Sequence, residues 1–398
     1  MSRPKAPRPQ KPPQRCAIIF GTRPEAIKLC PLVRSLREHT GVEAVVCVTG
    51  QHRGMLDPVL AFFEVTPDVD LNLMRPDQTL AEFTSRAVHT IDGFLAEHDV
   101  DVVIVQGDTT TAFSAALSAF YRRIPVAHVE AGLRSGDKWS PFPEEANRVL
   151  TSYLSDLHFA PTSHAKRNLL ASGVQEDAIH VTGNTSIDAL LFAVDRLRGN
   201  SPRIDGLPDF LQPASREAAA ADRPRSVLIT AHRRESFGQG LEGICEAVAQ
   251  LARAFPDVHF VYPLHLNPRA RQPVDHLLRE RASGNLHVIE PLDYQSFAAL
   301  MDRATLLLTD SGGVQEEAPS LGKPVLVMRN TTERPEALEV GAAKLVGTET
   351  TVIVREASRL LTDEKAYREM VVAVNPYGDG RASERIAAIL AGQPVTPF

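Results

Sequence analysis

The stretch DVVIVQGDTTTAFSAALSAF, residues 101–120, runs from an unbroken apolar segment through a Gly–Asp turn into a series of small residues. Four consecutive β-branched residues, Val102 to Val105, read as a short strand covered on both faces. The segment after Thr109 reads as the helix that does part of the covering. Strand, turn and helix in that order form the repeating unit of a parallel α/β sheet. The same unit recurs at CAIIF (16–20), VEAVVCVTG (42–50), PVAHVEA (125–131) and LHFAP (157–161). Between them, Leu80, Phe83, Ala87, Val88, Ile91, Phe94 and Leu95 repeat at helical spacing.

A polar, Pro- and Ala-rich connector spans 195–225, after which the pattern restarts with SVLITAH (226–232), VHFVYPLH (258–265), NLHVIEP (285–291), ATLLLTDS (304–311) and PVLVM (324–328). At 398 residues the chain is longer than one core usually serves. The expected fold class is therefore α/β with two Rossmann-like parallel-sheet domains. Ligands of such sheets bind beyond the carboxyl ends of the strands, so the two sheets are expected to face a central cleft.

The net charge of -6 argues against nucleic acid or an anionic membrane as a partner. Cys16, Cys30, Cys47 and Cys245 show no paired spacing, which argues against a disulfide framework and a zinc site and places the chain in the cytoplasm. Residues 1–15, MSRPKAPRPQKPPQR, are basic and Pro-rich without an apolar run, and are expected to form a disordered tail rather than a signal peptide.

Polar residues that follow the strands carry the chemistry. Asp108 and Glu130 close two apolar runs, and Glu144 and Glu145 come shortly after. A desolvated, unpaired carboxylate costs several kcal/mol, so each needs either a partner such as Arg134 or Arg148 or a chemical role. Several carboxylates converging on one cleft push each other's pKa upward, leaving a protonated acid beside an ionised base. SGGVQEE (311–317) opens a helical segment in which Ser311, Gly312 and Gly313 leave backbone N–H groups free for a phosphate; a simple Ser N-cap is the competing reading. Neither a GxxxxGKS/T loop nor a GxGxxG fingerprint occurs, so no nicotinamide cofactor is expected. Arg23 and Lys28 in one half, with His232, Arg233 and Arg234 in the other, suit a diphosphate.

FGTRPEAIK, GQHRGMLD, GDTTTA, HVEAGLRSGDKWSPFPEEANR, VTGNTSIDAL, TAHRRESFG, DSGGVQEEAPSLGKPV and TTERPEA together resemble the non-hydrolysing UDP-N-acetylglucosamine 2-epimerases, collinearly from Cys16 to Arg385. The resemblance implies a GT-B fold. Its N-terminal domain would span 16–190 and carry the catalytic carboxylates, its UDP-binding domain would span 191–375, and a C-terminal helix within 376–398 would return to the first. It also implies a homodimer that interconverts UDP-GlcNAc and UDP-ManNAc without metal or cofactor. UDP would leave by anti elimination as a base takes the C2 proton, giving a 2-acetamidoglucal to which UDP re-adds.

By position, Asp108, Glu130 and Glu144 match the family's essential carboxylates, and His232 the histidine that assists departure of UDP. Arg23 and Lys28 match residues for diphosphate binding and catalysis. Ser311, Gly312, Gly313, Glu317 and Arg334 match the UDP set, with Glu317 on the ribose. Many bacterial members also bind a second UDP-GlcNAc as activator, through residues matched by Gln51, Gln78, Arg233 and His265. Gly54 and Asp77 depart from that pattern, standing where Gln and Arg are common, so the activator site is expected to be vestigial. Competing readings are a hydrolysing epimerase that releases ManNAc, a GT-B glycosyltransferase, and an inactive UDP-sugar sensor. The last would predict loss of Asp108, Glu130, Glu144 or His232, and all four are present.

Overall fold

The computed structural model describes residues 14–39, 41–50, 53–213, 224–233, 237–265, 267–279, 283–371, 374–396 and 398. The chain divides into two compact units, the first running through Ala189 and resuming at Gly378, the second from Leu190 to Tyr377.

The first unit is built on Arg15–Phe20 (β1), Glu43–Val48 (β2), Val69–Asp70 (β3), Val102–Gln106 (β4), Val126–Val129 (β5), Leu157–Ala160 (β6) and Ile179–Val181 (β7). These form one sheet in the order β3-β2-β1-β4-β5-β6-β7, every neighbouring pair parallel. β1 is an interior strand, with Ile18 level with Val46 on one side and Ile104 on the other. Cys16 to Phe20 are completely buried, as a strand covered on both faces must be. The expected tail therefore ends earlier than residue 15. Arg15 belongs to β1, and the Gln14 and Arg15 amides both donate to Asp101 Oδ2 (2.8 and 2.9 Å). Residues 1–13 lie outside the described residues.

The helix Leu80–Glu97 buries Phe83, Ala87, Ile91, Phe94 and Leu95 against the strands. Leu80 departs from the expected apolar face and is 48% exposed. It is the first helical residue, directly after a capping box in which Thr79 Oγ1 accepts from the Glu82 amide and Glu82 Oε2 from the Thr79 amide. Val88 is only half-buried.

The second unit holds Arg225–Thr230 (β8), Val258–Pro263 (β9), Leu286–Ile289 (β10), Leu306–Thr309 (β11), Val325–Val327 (β12) and Ala343–Leu345 (β13). Their order is β10-β9-β8-β11-β12-β13, all parallel. Counted along the chain within each sheet, both follow the order 3-2-1-4-5-6, the first adding a seventh strand at the end, with the direction of winding reversing between the first and fourth strands.

The chain returns to the first unit through the helix Ala382–Leu390, which packs on the helix Arg23–His39. Asp188 anchors it by accepting from the Ala382 and Ser383 amides (3.2 and 2.6 Å), which meets two of the unpaired N–H groups every helix start presents. Arg385 adds a forked pair with Asp379 (2.7 and 2.6 Å) and a bond to the Thr182 carbonyl (3.1 Å). Burial raises the Asp188 carboxyl to about 6, against the lowering effect of these N–H groups. With the folded value above the unfolded one, its contribution to stability is complete below pH of about 4 and is lost as pH rises through 6. Urea unfolding across pH 4 to 7 should show wild type losing ground to Asp188→Asn as pH rises. A pH-independent difference would rule out this linkage.

Candidate functional site

In the first unit the switch point is held by Glu25, a fully buried residue on the helix Arg23–His39. Its Oε2 accepts from the amides of Gly21 (3.0 Å) and Thr22 (2.8 Å), and its Oε1 from Thr109 Oγ1 (2.6 Å). One carboxylate thus ties the loop after β1 to the loop after β4. Thr22 and Glu25 also form a capping box, the Glu25 amide reaching Thr22 Oγ1 at 3.4 Å. Arg23 and Lys28 start from this fixed helix end. Gly107, at φ +68°, turns the chain out of β4, and Thr109 caps the helix Thr110–Tyr121 through the Ala112 amide (3.0 Å). Asp108 stands between them.

Asp108 and Glu130 have different surroundings. Asp108 pairs with Arg148 Nη2, and its backbone carbonyl accepts from Asn147 Nδ2 (3.0 Å). Desolvation raises the Asp108 carboxyl, Arg148 opposes that, and the nearby Glu130 charge reinforces it; the net direction is upward. Glu130 is buried with Lys28 Nζ at 2.6 Å from both oxygens. Gln106 Nε2 donates to its Oε2 and Asn184 Nδ2 to its Oε1 (3.2 Å). Glu130 also sits at φ +62°, a left-handed conformation uncommon outside glycine that persists where the surroundings enforce it. Lys28, Glu130 and Asp108 are thereby brought together. Beneath them His128 donates from Nε2 to the Gly107 carbonyl (2.7 Å), and burial lowers its pKa to about 4, keeping the ring neutral.

Glu144 and Glu145 begin the helix Glu144–Leu154. Glu145 is buried; it accepts from the Ser135 and Gly136 amides (3.0 and 3.2 Å) and pairs with Arg148 at 3.2 Å. Glu144 Oε2 is buried with no hydrogen-bond partner among the described residues. Of the two cations considered as partners for the acids, Arg148 holds Asp108 and Glu145, whereas Arg134 turns to the Leu133 carbonyl (2.7 Å) and Ser152 Oγ (3.1 Å).

The second unit repeats the device with Asp310, fully buried after β11. Its Oδ2 accepts from the His232 and Arg233 amides, both at 2.7 Å, linking the loop after β8 to the loop after β11. His232 Nδ1 lies 3.5 Å from Asp310 Oδ1, and the ring stacks on His265 with centroids 4.6 Å apart and planes within 8°. Burial lowers the His232 pKa; Asp310 opposes this and Arg233 adds to it.

Ser311 takes the cap position of the short helix Gly312–Glu317, but its side chain makes no cap bond, so a simple Ser N-cap does not describe it. A Cβ on Gly312 would sit 2.6 Å from the Arg334 guanidinium. A larger residue there would make the Arg334 guanidinium shift from its place at the helix start. Arg334 pairs with Glu316 (2.5 Å) and Glu333 (2.6 Å), and Glu333 with Arg329 (2.8 Å) and Arg233 (3.7 Å). Burial would raise Glu333, but Arg334, Arg329 and Arg233 outweigh it and hold it at about 2. The second unit therefore assembles His232, Arg233, Ser311, Gly312 and Arg334 around Asp310 and Glu333.

Glu25 and Asp310 did not stand out as functional candidates, yet each had a signal: a T-x-x-E capping box, and an acid at a strand tip like Asp108. Of the activator-site candidates, Gln51 lies outside the described residues, and Gln78 belongs to the first unit, where its Oε1 accepts from Arg86 (2.7 Å). Among the described residues no cluster of three or more His, Cys, Asp or Glu is placed to hold a metal, and no helix is long and apolar enough to cross a membrane.

A family model described as UDP-N-acetylglucosamine 2-epimerase matches residues 34–391. The chain is 53% identical over 378 residues to a UDP-N-acetylglucosamine 2-epimerase from Yersinia pestis (95% of this chain, 98% of the relative), and 51% identical over 381 residues to that of Escherichia coli K12 (95% and 98%). A crystal structure of the Neisseria meningitidis enzyme bound to UDP-GlcNAc superposes with a TM-score of 0.85 at 46% identity, covering 95% of this chain and 100% of that one. A Methanocaldococcus jannaschii structure in complex with UDP-GlcNAc and UDP gives 0.76 at 35% identity, covering 95% and 99%.

The two adjacent acids should separate in a stability measurement. Glu145→Ala strands two amides and removes one of the two acids paired with Arg148, which keeps Asp108, and should lower stability by about 2–4 kcal/mol in urea unfolding. Glu144→Gln breaks no hydrogen bond and should change it by less than about 0.5 kcal/mol. Equal effects would contradict the contrast.

Proposed function

Because the chain belongs to the UDP-N-acetylglucosamine 2-epimerase family, we propose that it interconverts UDP-GlcNAc and UDP-ManNAc by the non-hydrolysing route. The observation that carries the proposal is the division of labour between two carboxylates at neighbouring strand ends. Asp108 is pushed toward its protonated form, while Glu130 faces the Lys28 ammonium. A protonated acid and an ionised base in one site are what removal and return of a proton require.

In the proposed reaction a carboxylate takes the proton from C2. The C–H electrons form the C1–C2 double bond, and the C1–O bond breaks with its electrons going to UDP. The reverse steps then deliver the proton to the opposite face of C2 and UDP to C1. Asp108, Glu130 and Glu144 serve the sugar. His232, Arg23 and Lys28 stabilise the departing diphosphate, and Ser311, Gly312, Gly313, Glu317 and Arg334 hold UDP.

Incubated with UDP-GlcNAc alone, the enzyme should form UDP-ManNAc, and in deuterated water the product should carry deuterium at C2. Amide substitution of Asp108, Glu130 or Glu144 should lower kcat on the order of 100- to 10,000-fold, with UDP binding within a few-fold. Free ManNAc would indicate the hydrolysing reaction, full retention of the C2 hydrogen a transient oxidation, and no product a binding protein.

We further propose that a second UDP-GlcNAc activates this enzyme weakly or not at all. Asp77 is exposed at φ +53°, and an acid near a diphosphate replaces attraction with repulsion. Gly54 lacks any side chain that could donate or accept. Each change costs about 1–3 kcal/mol of binding, enough for a tenfold loss. Started from purified UDP-ManNAc, turnover should be linear from the first seconds; a lag abolished by a trace of UDP-GlcNAc would refute this.

A further inference from the structure

Asp310 makes more contacts than a loop anchor requires. Two backbone amides occupy its Oδ2. Its Oδ1 is fully buried, accepts no hydrogen bond from the described residues, and lies 3.5 Å from His232 Nδ1. A buried carboxylate oxygen without a donor is costly, and the imidazole is the group placed to relieve it. The geometry around this pair is fixed. The Thr230 and Thr309 hydroxyls bond at 2.6 Å across β8 and β11, and Tyr262 OH donates to the Ala231 carbonyl (3.1 Å) directly before His232. His265 covers one face of the His232 ring, which holds the ring plane. With Nδ1 turned to Asp310, Nε2 is the nitrogen left for a ligand.

We propose that Asp310 is a positioning residue for His232: it keeps a proton on Nδ1, aims Nε2 outward, and supports the imidazolium while Nε2–H donates to the diphosphate oxygen that takes up the C1–O electron pair. The proposal rests on the epimerase reading. No proton needs to leave the ring in this step, and the charge that develops is on the departing UDP. The 3.5 Å separation is ion-pair range rather than a tight hydrogen bond, and it should contract as the ring becomes cationic. Burial and the adjacent Arg233 work against that cation, and Asp310 is the group that opposes them. A carboxylate behind a histidine fixes its tautomer and steadies its charge by the same logic in other enzymes.

Asp310→Asn isolates the role. Its carbonyl oxygen can still accept from the His232 and Arg233 amides, so the loop holds, but its NH2 group faces Nδ1 and excludes a proton there, so the ring keeps Nε2–H only as a neutral donor and cannot become the imidazolium. The expected loss in kcat is on the order of 100- to 10,000-fold, with KM for UDP-GlcNAc and calorimetric UDP affinity within a few-fold. In a His232→Gln background the same substitution should cost no more than about twofold, because Asp310 acts through the histidine. Nitrogen NMR of wild type should find His232 protonated at Nδ1, a readout that needs no variant to fold. Near-normal kcat in Asp310→Asn, an undiminished loss in the His232→Gln background, or a wild-type ring protonated only at Nε2 would each overturn the role. Absence of wild-type turnover would overturn the epimerase reading and this role with it, whereas turnover that survives Asp310→Asn overturns the role alone.

Discussion

Both units depend on one constraint. Where a parallel sheet reverses its winding between its first and fourth strands, the two loops leaving those strands diverge, and their backbone amides have no ladder partner. Each unit meets this with one fully buried carboxylate that accepts two consecutive amides of the first loop. Glu25 takes Gly21 and Thr22, and Asp310 takes His232 and Arg233. The carboxylates come from opposite sides: Glu25 from the helix after its first strand, reaching across to Thr109, and Asp310 from the end of the fourth. Bonds from amides to a charged acceptor contribute about 1.5–3 kcal/mol each and offset part of the cost of burial; at Glu25 burial still outweighs them and raises the carboxyl. Arg23 follows Thr22, Asp108 precedes Thr109, His232 and Arg233 are themselves bonded, and Ser311 follows Asp310. Arg23, Asp108, His232 and Ser311, four of the residues proposed to act on substrate, therefore hang directly on the two staples.

The first unit then shows how surroundings alone assign work to one kind of side chain. Glu25 and Glu145 each satisfy a pair of amides and are structural. Glu130 is paired with Lys28 and held in a left-handed conformation. For Asp108, desolvation outweighs the Arg148 ion pair and moves the carboxyl toward its protonated form. Glu144 alone keeps an oxygen with no partner among the described residues. Stability explains the first two; it does not explain why Glu130 is retained in a strained backbone or why Glu144 leaves a buried oxygen unmet. Glu130 directly follows β5, and Glu144 opens the helix whose Asn147 and Arg148 reach Asp108 after β4, where the proposed chemistry takes place.

The strands were legible because parallel sheets bury both faces, leaving continuous Val/Ile runs no other element explains. Asp108 and Glu130 were legible because an acid at the tip of such a run needs a reason. What could not be read was direction. Nothing in PFPEEANR distinguishes the glutamate that faces the Ser135–Gly136 amides from its neighbour, because adjacent helical residues point about 100° apart and the loop they meet comes from earlier in the chain. The choice between Arg134 and Arg148 failed to resolve for the same reason. Leu80 fitted the apolar period yet is exposed, because the Thr79–Glu82 capping box starts the helix before it reaches the sheet. Glu25 was hidden by its own local explanation: a capping box accounts for its presence and gives no hint of the bond to Thr109, 84 positions away.

The second unit's cations set a limit on how tightly a diphosphate can be held in the proposed reaction. Arg233, Arg329 and Arg334 surround Glu333, and Arg334 also contacts Glu316. A diphosphate must compete with carboxylates already bonded to these guanidiniums, one of them Glu333, held at about 2 and so ionised across the physiological range. With Asp310 counted beside Glu333 and Glu316, three acids balance the three arginines, and a protonated His232 would leave a surplus of a single positive charge. Affinity then comes from exchanging one set of ion pairs for another rather than from filling an uncompensated positive site, and the net gain is modest compared with the gross Coulomb attraction. That balance suits a reaction in which UDP must leave C1 and later return to it, since a site that bound free UDP far more tightly than the nucleotide sugar would trap the elimination products. It also assigns Gly312 a reason beyond turn geometry: its missing side chain lets Arg334 cross the helix start and belong to both the acid network and the proposed phosphate site.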